Sequence, residues 1–217
     1  MAVSTEAISG YVYSDAKTSH AHAYLLPALR AEIANASPSP KRAFDLGCGN
    51  GSVAAHLSKD GWDIEGVDVS EEGIAQANQN YPKLKLRKGS AYDDLAEEFG
   101  QFPVVYSLEV VEHVYGPRDY ASTLFDLVAP GGTAIISTPY HGYWKNLALA
   151  VTGKMDAHFT ALWDHGHIKF WSIKTLSELL KEAGFTDIRY VRVGRIPILA
   201  KSMIAIAKKP GVEVPGG

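Results

Sequence analysis

FDLGCGNGSVAAHL, residues 44–57, places glycines at 47, 49 and 51 behind an acid and an apolar run. A helical pattern follows at once. A glycine-rich turn between a strand and a helix lets a ligand approach the main chain closely. Several nucleotide-like ligands exploit such a turn, so spacing has to narrow the choice. The dinucleotide fingerprint G-x-G-x-x-G requires its third glycine five positions after the first, and position 52 here is Ser. No G-K-[ST] follows, which excludes a P-loop.

Outward from this turn, strand and helix patterns alternate. AFDLGC (43–48) reads as a buried strand and SVAAHLSK (52–59) as a helix. DIEGVDV (63–69) is strand-like, and Ser70 caps a helix beginning EEGIAQANQ. KLRKGS closes a third strand and FPVVYSLE (102–109) forms a fourth. PRDYASTLFDLV is helical, ends at the turn APGG, and precedes the strand GTAIISTP. This order predicts an α/β fold with a parallel sheet covered on both faces. Ligands of such sheets bind beyond the carboxyl ends of the strands, which sets Gly47, Asp68, Ser90 and Glu109 on one rim.

Upstream, TSHAHAYLLPALRAEIAN (18–35) predicts a helix interrupted by Pro27, then a linker, SPSP. Downstream, residues 141–170 break the alternation as an insert without strands. Within it GYWKNLALAV is apolar on nearly every side. Such a helix is buried, binds an apolar substrate or touches a membrane surface, and burial is the common case. Ser172 caps IKTLSELLKEA, whose Ile173, Leu176, Leu179, Leu180 and Ala183 form one apolar stripe ended by Gly184. FTDIRYVRVGR and KSMIAIAKK close the chain as a strand pair, with 210–217 as a tail. The expected organisation is one domain over 1–217, with a helical segment over 1–40.

Composition bounds the partners. The chain has 217 residues, is 46% hydrophobic and 21% charged, and carries a net charge of −3. No basic stripe suits a phosphate backbone, so nucleic acid is not an expected partner. The N-terminus lacks the charged start and apolar core of a leader, and the single cysteine, Cys48, forms no internal disulfide. A cytoplasmic location is expected.

Taken together, D-x-G-x-G-x-G at 45–51, GVDVS, KGSAYD, VVYSLEVVEHV and APGGTAIISTP resemble the class I S-adenosylmethionine-dependent methyltransferases. The EVVEHV pattern, the insert and an H-x-x-x-K-F run (His165, Lys169, Phe170) are most similar to the ubiquinone-biosynthesis-type small-molecule O-methyltransferases. The resemblance spans roughly residues 40 to 190. It implies a Rossmann-like, doubly wound, seven-stranded sheet with the last strand antiparallel, and S-adenosylmethionine as cofactor. Gly47 and Gly49 would lie in its loop, Asp68 at its ribose, Val69 beside that acid as a further cofactor-binding residue, and Ser90, Ala91 and Tyr92 beside its adenine. Leu108 would offer a carbonyl to its methionine amino group. Ser90 departs from the family, which often has an acid there. A residue between Tyr11 and Tyr24 would touch the methionine carboxylate. The ribose presents two hydroxyls that a carboxylate such as Asp68 can accept; Asp45 faces either the loop amides or the cofactor's ammonium end.

An oxygen acceptor also needs a base, and His113 suits that task, with Glu112 beside it. Glu109, Glu112 and His113 stand at i, i+3 and i+4, so a helical turn would gather them. The cluster then orients the base or holds a divalent ion. His141, His158, His165 and His167 fall in or beside the insert, whose HGH lacks zinc-site spacing and fits a lid over the acceptor. His20 and His22 make a poor metal pair, and His56 reads as a solvated helix residue. The expected acceptor is a small or lipid-linked molecule methylated on oxygen, with peripheral membrane contact an open possibility. Methylation on nitrogen or carbon, a nicotinamide oxidoreductase and an inactive cofactor-binding module are the alternatives.

Overall fold

A computed structural model describes residues 21–163 and 166–211. Fifteen elements matter for the site. They run α1 (His22–Ala36), β1 (Arg42–Leu46), α2 (Ser52–Lys59), β2 (Asp63–Asp68), α3 (Glu71–Asn80), β3 (Lys85–Lys88), α4 (Leu95–Phe99) and β4 (Phe102–Leu108). Then follow α5 (Pro117–Leu127), β5 (Val128–Pro139), α6 (Tyr143–Val151), α7 (Met155–Phe159), α8 (Ile173–Glu182), β6 (Thr186–Val193) and β7 (Ser202–Lys208). The sheet has seven strands in the order β3-β2-β1-β4-β5-β7-β6. β1 to β5 pair in parallel, and β7 runs antiparallel to both β5 and β6. The last strand is therefore inserted between its two neighbours, and the sheet expected from the motifs is present.

Consecutive strand residues feed opposite cores, as the period-two pleat requires. On one face Phe44, Leu46, Val105 and Ile136 pack with Tyr120, Leu124, Leu127, Leu176 and Leu180 of α5 and α8. On the other, Ala43, Ile64, Val104 and Ile135 pack with Leu25, Leu29 and Ile33 of α1 and Val53 and Leu57 of α2. Because both faces are covered, the central strands are mostly apolar, broken by the buried Asp45 of β1 and Ser107 of β4. The predicted caps form. Ser70 Oγ accepts the Gly73 amide at 3.1 Å, and Ser172 and Thr175 make a reciprocal capping box on α8.

Three expectations are corrected. Pro27 does not interrupt α1, which is continuous through it. APGG is not a turn ahead of β5. It lies inside that strand as a bulge, the register passing from Phe102↔Val128 to Val104↔Thr133. Most consequential, α6 is inside out. Tyr143, Trp144, Leu147 and Val151 are exposed, and the one buried side chain of the helix is Lys145. Its ammonium donates to the carbonyls of Tyr140 (2.7 Å) and Lys201 (3.3 Å). Burial is tolerated because those acceptors replace water.

Candidate active site

All four rim positions lie at or just past the carboxyl ends of their strands. In the loop after β1, Gly47, Gly49 and Gly51 all have φ between 52° and 91°. That backbone region alone favours glycine. Space adds a second reason at Gly47, where a Cβ would stand 2.3 Å from Val110 Cγ2. The loop after β1 thus lies directly against the turn after β4.

Asp68 fastens this loop from below. One oxygen accepts the Gly49 amide and the other the Ser70 amide, each at 2.8 Å. A carboxylate offers about four acceptor sites, so two remain for the hydroxyls of a ribose. Val69 beside it is exposed. Asp45 is enclosed beneath the loop, only 3% exposed, and flanked in register by Gly66 and Tyr106. Burial pushes its carboxyl up to about 8, and Asp68 adds to the rise. Burial thus favours its neutral form, and a cation beside it would oppose that preference.

Past β3, the Ser90 amide donates to Asp93 at 2.7 Å. An acid thus serves this turn from three residues further on, a contact that the sequence reading missed. Ala91 packs against the core, and the Tyr92 hydroxyl accepts the Gly116 amide at 3.0 Å. Leu108 closes β4 and is buried.

The turn after β4 is not the expected helical turn. Glu109 has φ 55°, and its side chain swings toward β5 and β7. There it accepts from Ser137 Oγ at 2.8 Å and from Ser202 Oγ at 3.5 Å. Burial pushes Glu109 up to about 7, opposed by those hydroxyls and by Lys145. Tyr24 of α1 reaches the same Ser202 at 3.4 Å. Tyr24 ends the segment singled out from sequence; the rest of that segment, apart from its last residues, lies outside the described residues, as does His20.

Glu112 instead meets His113 and His167, their ligand atoms lying within 4.8 Å of one another. His167 Nε2 stands 3.9 Å from Glu112 Oε1. Glu112 is 1% exposed, and neither carboxylate oxygen has a hydrogen-bond partner among the described residues. Burial, then the neighbouring Glu109, raises it well above the usual carboxylate range. Burial and the His113 ring push His167 down to about 4. An orphaned buried carboxylate beside two imidazoles fits a divalent cation of the kind that nitrogen and oxygen ligands suit.

His167 was read from sequence only as a lid residue. Tertiary contacts deliver it, since the amides of Ile168 and Lys169 donate to the Glu112 carbonyl at 2.9 and 3.0 Å. Trp171 Nε1 donates to the Val111 carbonyl at 3.1 Å. His141 and His158 pack with Phe159 and Phe170, His141 stacking on Phe159 and meeting Phe170 edge-on. His165 lies outside the described residues.

Comparison with known proteins identifies a family. A family model described as a methyltransferase domain matches residues 18–190. The ubiquinone biosynthesis O-methyltransferase of Roseobacter denitrificans is 34% identical over 70% of this chain and 64% of its own length. That of Psychrobacter arcticus is 28% identical over 67% of this chain and 59% of its own. The chain thus spans about three fifths of the length of these curated relatives. Among solved structures, magnesium protoporphyrin IX methyltransferase from Synechocystis with bound SAH superposes with a TM-score of 0.66. The two share 18% identity over 85% of this chain and 82% of that one, a likeness of fold.

Proposed function

The chain belongs to the methyltransferase-domain family, and from that premise we propose that it moves a methyl group from S-adenosylmethionine to an oxygen of a small-molecule acceptor. The observation that carries this reading is the contact of Gly47 with Val110. It joins a glycine loop fitted to a cofactor with a turn fitted to proton transfer. The relatives' name, ubiquinone biosynthesis O-methyltransferase, supports oxygen as the acceptor atom.

When bound, the cofactor supplies an electrophilic methyl on a sulfonium. Asp68, with Val69 beside it, would hold the ribose through its two remaining acceptor sites, and the loop at Gly47 and Gly49 would admit the ligand to the backbone. Ser90, Ala91 and Tyr92 would border the adenine, and Leu108 would offer its carbonyl to the amino group. Asp45 would face the loop amides or that ammonium end. Alignment of acceptor and methyl contributes up to about 7–11 kcal/mol in well-oriented pairs.

His113 accepts the proton of the acceptor hydroxyl. His167 stands beside it, and Glu112 lies next to the pair. Glu112, His113 and His167 are also the residues that would hold a divalent cation, which would supply Lewis-acid orientation of the acceptor oxygen.

The outward apolar side of α6, with Ile196 and Ile198 of the turn beside it, supports a lipid-linked acceptor or peripheral contact with a bilayer. No helix among the described residues is long and apolar enough to cross a membrane. Residues 141–170 act as a lid over the acceptor.

Transfer of label from S-adenosylmethionine into a panel of hydroxylated, amino and carbon-acid acceptors tests the proposal. Labelled ether or ester is expected. Label confined to nitrogen or carbon would replace the oxygen assignment, and calorimetry showing NAD but not S-adenosylhomocysteine bound would overturn the whole reading.

A further inference from the structure

Asp45 and Asp68 stand under the same glycine loop but are served differently. Asp68 accepts the Gly49 and Ser70 amides, each at 2.8 Å. Among the described residues Asp45 accepts no backbone amide, and the Tyr106 phenol is the donor that bears on it. Asp45 therefore suits a partner of another kind, and an ammonium group matches its chemistry.

The sheet brings Tyr106 to this acid. The two residues are paired in register between β1 and β4, so the pleat sends both side chains to one face. Ser107 Oγ donates to the Leu46 carbonyl at 2.6 Å, which locks that register. On the other side of Asp45 the partner in register is Gly66 of β2, which has no side chain to offer. A Cβ there would stand 2.6 Å from the Asp45 carbonyl oxygen and 2.9 Å from its Cβ. Gly66 is not in the left-handed region, so space and not backbone freedom calls for glycine. Of the two strand neighbours of Asp45, only Tyr106 carries a polar group.

The Tyr106 hydroxyl is fully buried, yet it meets no partner in hydrogen-bonding geometry among the described residues. It belongs to a largely apolar cluster with Leu25, Leu29, Val53 and Ile135. A hydroxyl left unpaired in such a place costs about 1–3 kcal/mol, and a phenylalanine ring would avoid that cost. Burial, then Asp45, pushes the phenol well above its usual range, so it remains a donor. What it lacks is an acceptor in bonding geometry.

We propose that Tyr106 is a positioning residue for the amino-acid end of the cofactor, its hydroxyl donating to the Asp45 carboxylate once an ammonium group engages that acid. The inference rests on the S-adenosylmethionine reading and adds to it a residue inside β4 that acts through Asp45. The phenol offsets part of the cost of holding an anion in a buried place, and the bond fixes which way the carboxylate points.

The test compares S-adenosylhomocysteine with an analogue carrying hydrogen in place of its amino group, each titrated by calorimetry into the full chain. Tyr106→Phe should weaken S-adenosylhomocysteine by about 10-fold, which one hydrogen bond to a charged group supplies. The analogue should bind this variant as it binds wild type, which also reports that the loop is intact. Without ligand, Tyr106→Phe should melt no lower than wild type, because the change removes an orphaned hydroxyl and keeps the ring. Unchanged S-adenosylhomocysteine affinity in the variant overturns the inference. An equal loss for both ligands overturns it too, and makes Tyr106 a scaffold of the loop. In both cases binding by wild type leaves the cofactor reading standing. A wild-type protein that binds no S-adenosylhomocysteine sinks both.

Discussion

Asp68 Oδ2 accepts the backbone amide of Gly49 at 2.8 Å, so the acid closing β2 is also the fastening of the glycine loop that follows β1. Binding and loop geometry are consequently coupled through one side chain. Asp68→Ala leaves the Gly49 and Ser70 amides without their acceptor and removes the charge-assisted partner of a ribose. Hydrogen bonds to charged groups are worth about 1.5–3 kcal/mol, so S-adenosylhomocysteine affinity should fall by about 10- to 100-fold. Calorimetry measures it. A thermal melt of the same variant reports the part of the loss that belongs to the loop.

Gly49→Val should be harsher than a steric argument alone suggests. The φ of 52° at this position is strained for a β-branched residue, so both stability and cofactor binding should drop. A stable variant with intact binding would remove the loop from the cofactor site.

For the base, His113→Ala should lower kcat by about 10²–10⁴ with little change in cofactor affinity. His167→Ala should have the smaller effect in the absence of added metal. Equal turnover in wild type and His113→Ala would assign the proton to another group.

Metal dependence separates the two imidazoles differently. Zinc or manganese titrated into the protein should bind with an affinity that rises with pH, because Glu112, raised by burial, must lose its proton first. If that ion serves turnover, chelator should stop it and added metal restore it, and His167→Ala should abolish the titration. Full activity in excess chelator would leave His113 acting alone.

His141 supplies a stability test. It is 8% exposed and is pushed down to about 4, by burial first and then by Lys145, His158 and His167. Its folded pKa lies below its unfolded value near 6.5, so between the two the unfolded chain holds more protons. Its contribution is thus present above pH 6.5 and lost as pH falls toward 4, amounting to about 2–3 kcal/mol. His141→Phe keeps the ring stack with Phe159 and removes the titration. Denaturant melts from pH 7 to 4 should show a shallower loss in the variant, and identical slopes would disprove the assignment.

The exposed side of α6 is tested with Trp144→Ser and Leu147→Ser together. Both side chains are more than a third exposed, so melting temperature should hardly move, unlike a core truncation. Binding of an apolar acceptor or of anionic vesicles should weaken.

Local chemistry made most of the fold legible in the sequence. Ser70 and Ser172 cap helices because their hydroxyls reach amides three residues away, and the largely apolar stretches at 43–46 and 102–108 follow from a sheet buried on both faces. The rim carrying Gly47, Asp68 and Glu109 followed from the same alternation. What local pattern misjudged is equally physical. Periodicity gathered Glu109, Glu112 and His113 on a helical turn, but the positive φ at Glu109 turns that acid away to Ser137 and Ser202. An apolar count made burial the common case for α6, whereas two carbonyls capture Lys145 and bury it instead. The third member of the acid–imidazole cluster, His167, is set by hydrogen bonds between residues as far apart as Trp171 and Val111, separated by 60 positions. No spacing rule reaches across that distance, because the partners meet only after the sheet has brought the ends of β4 and the insert together.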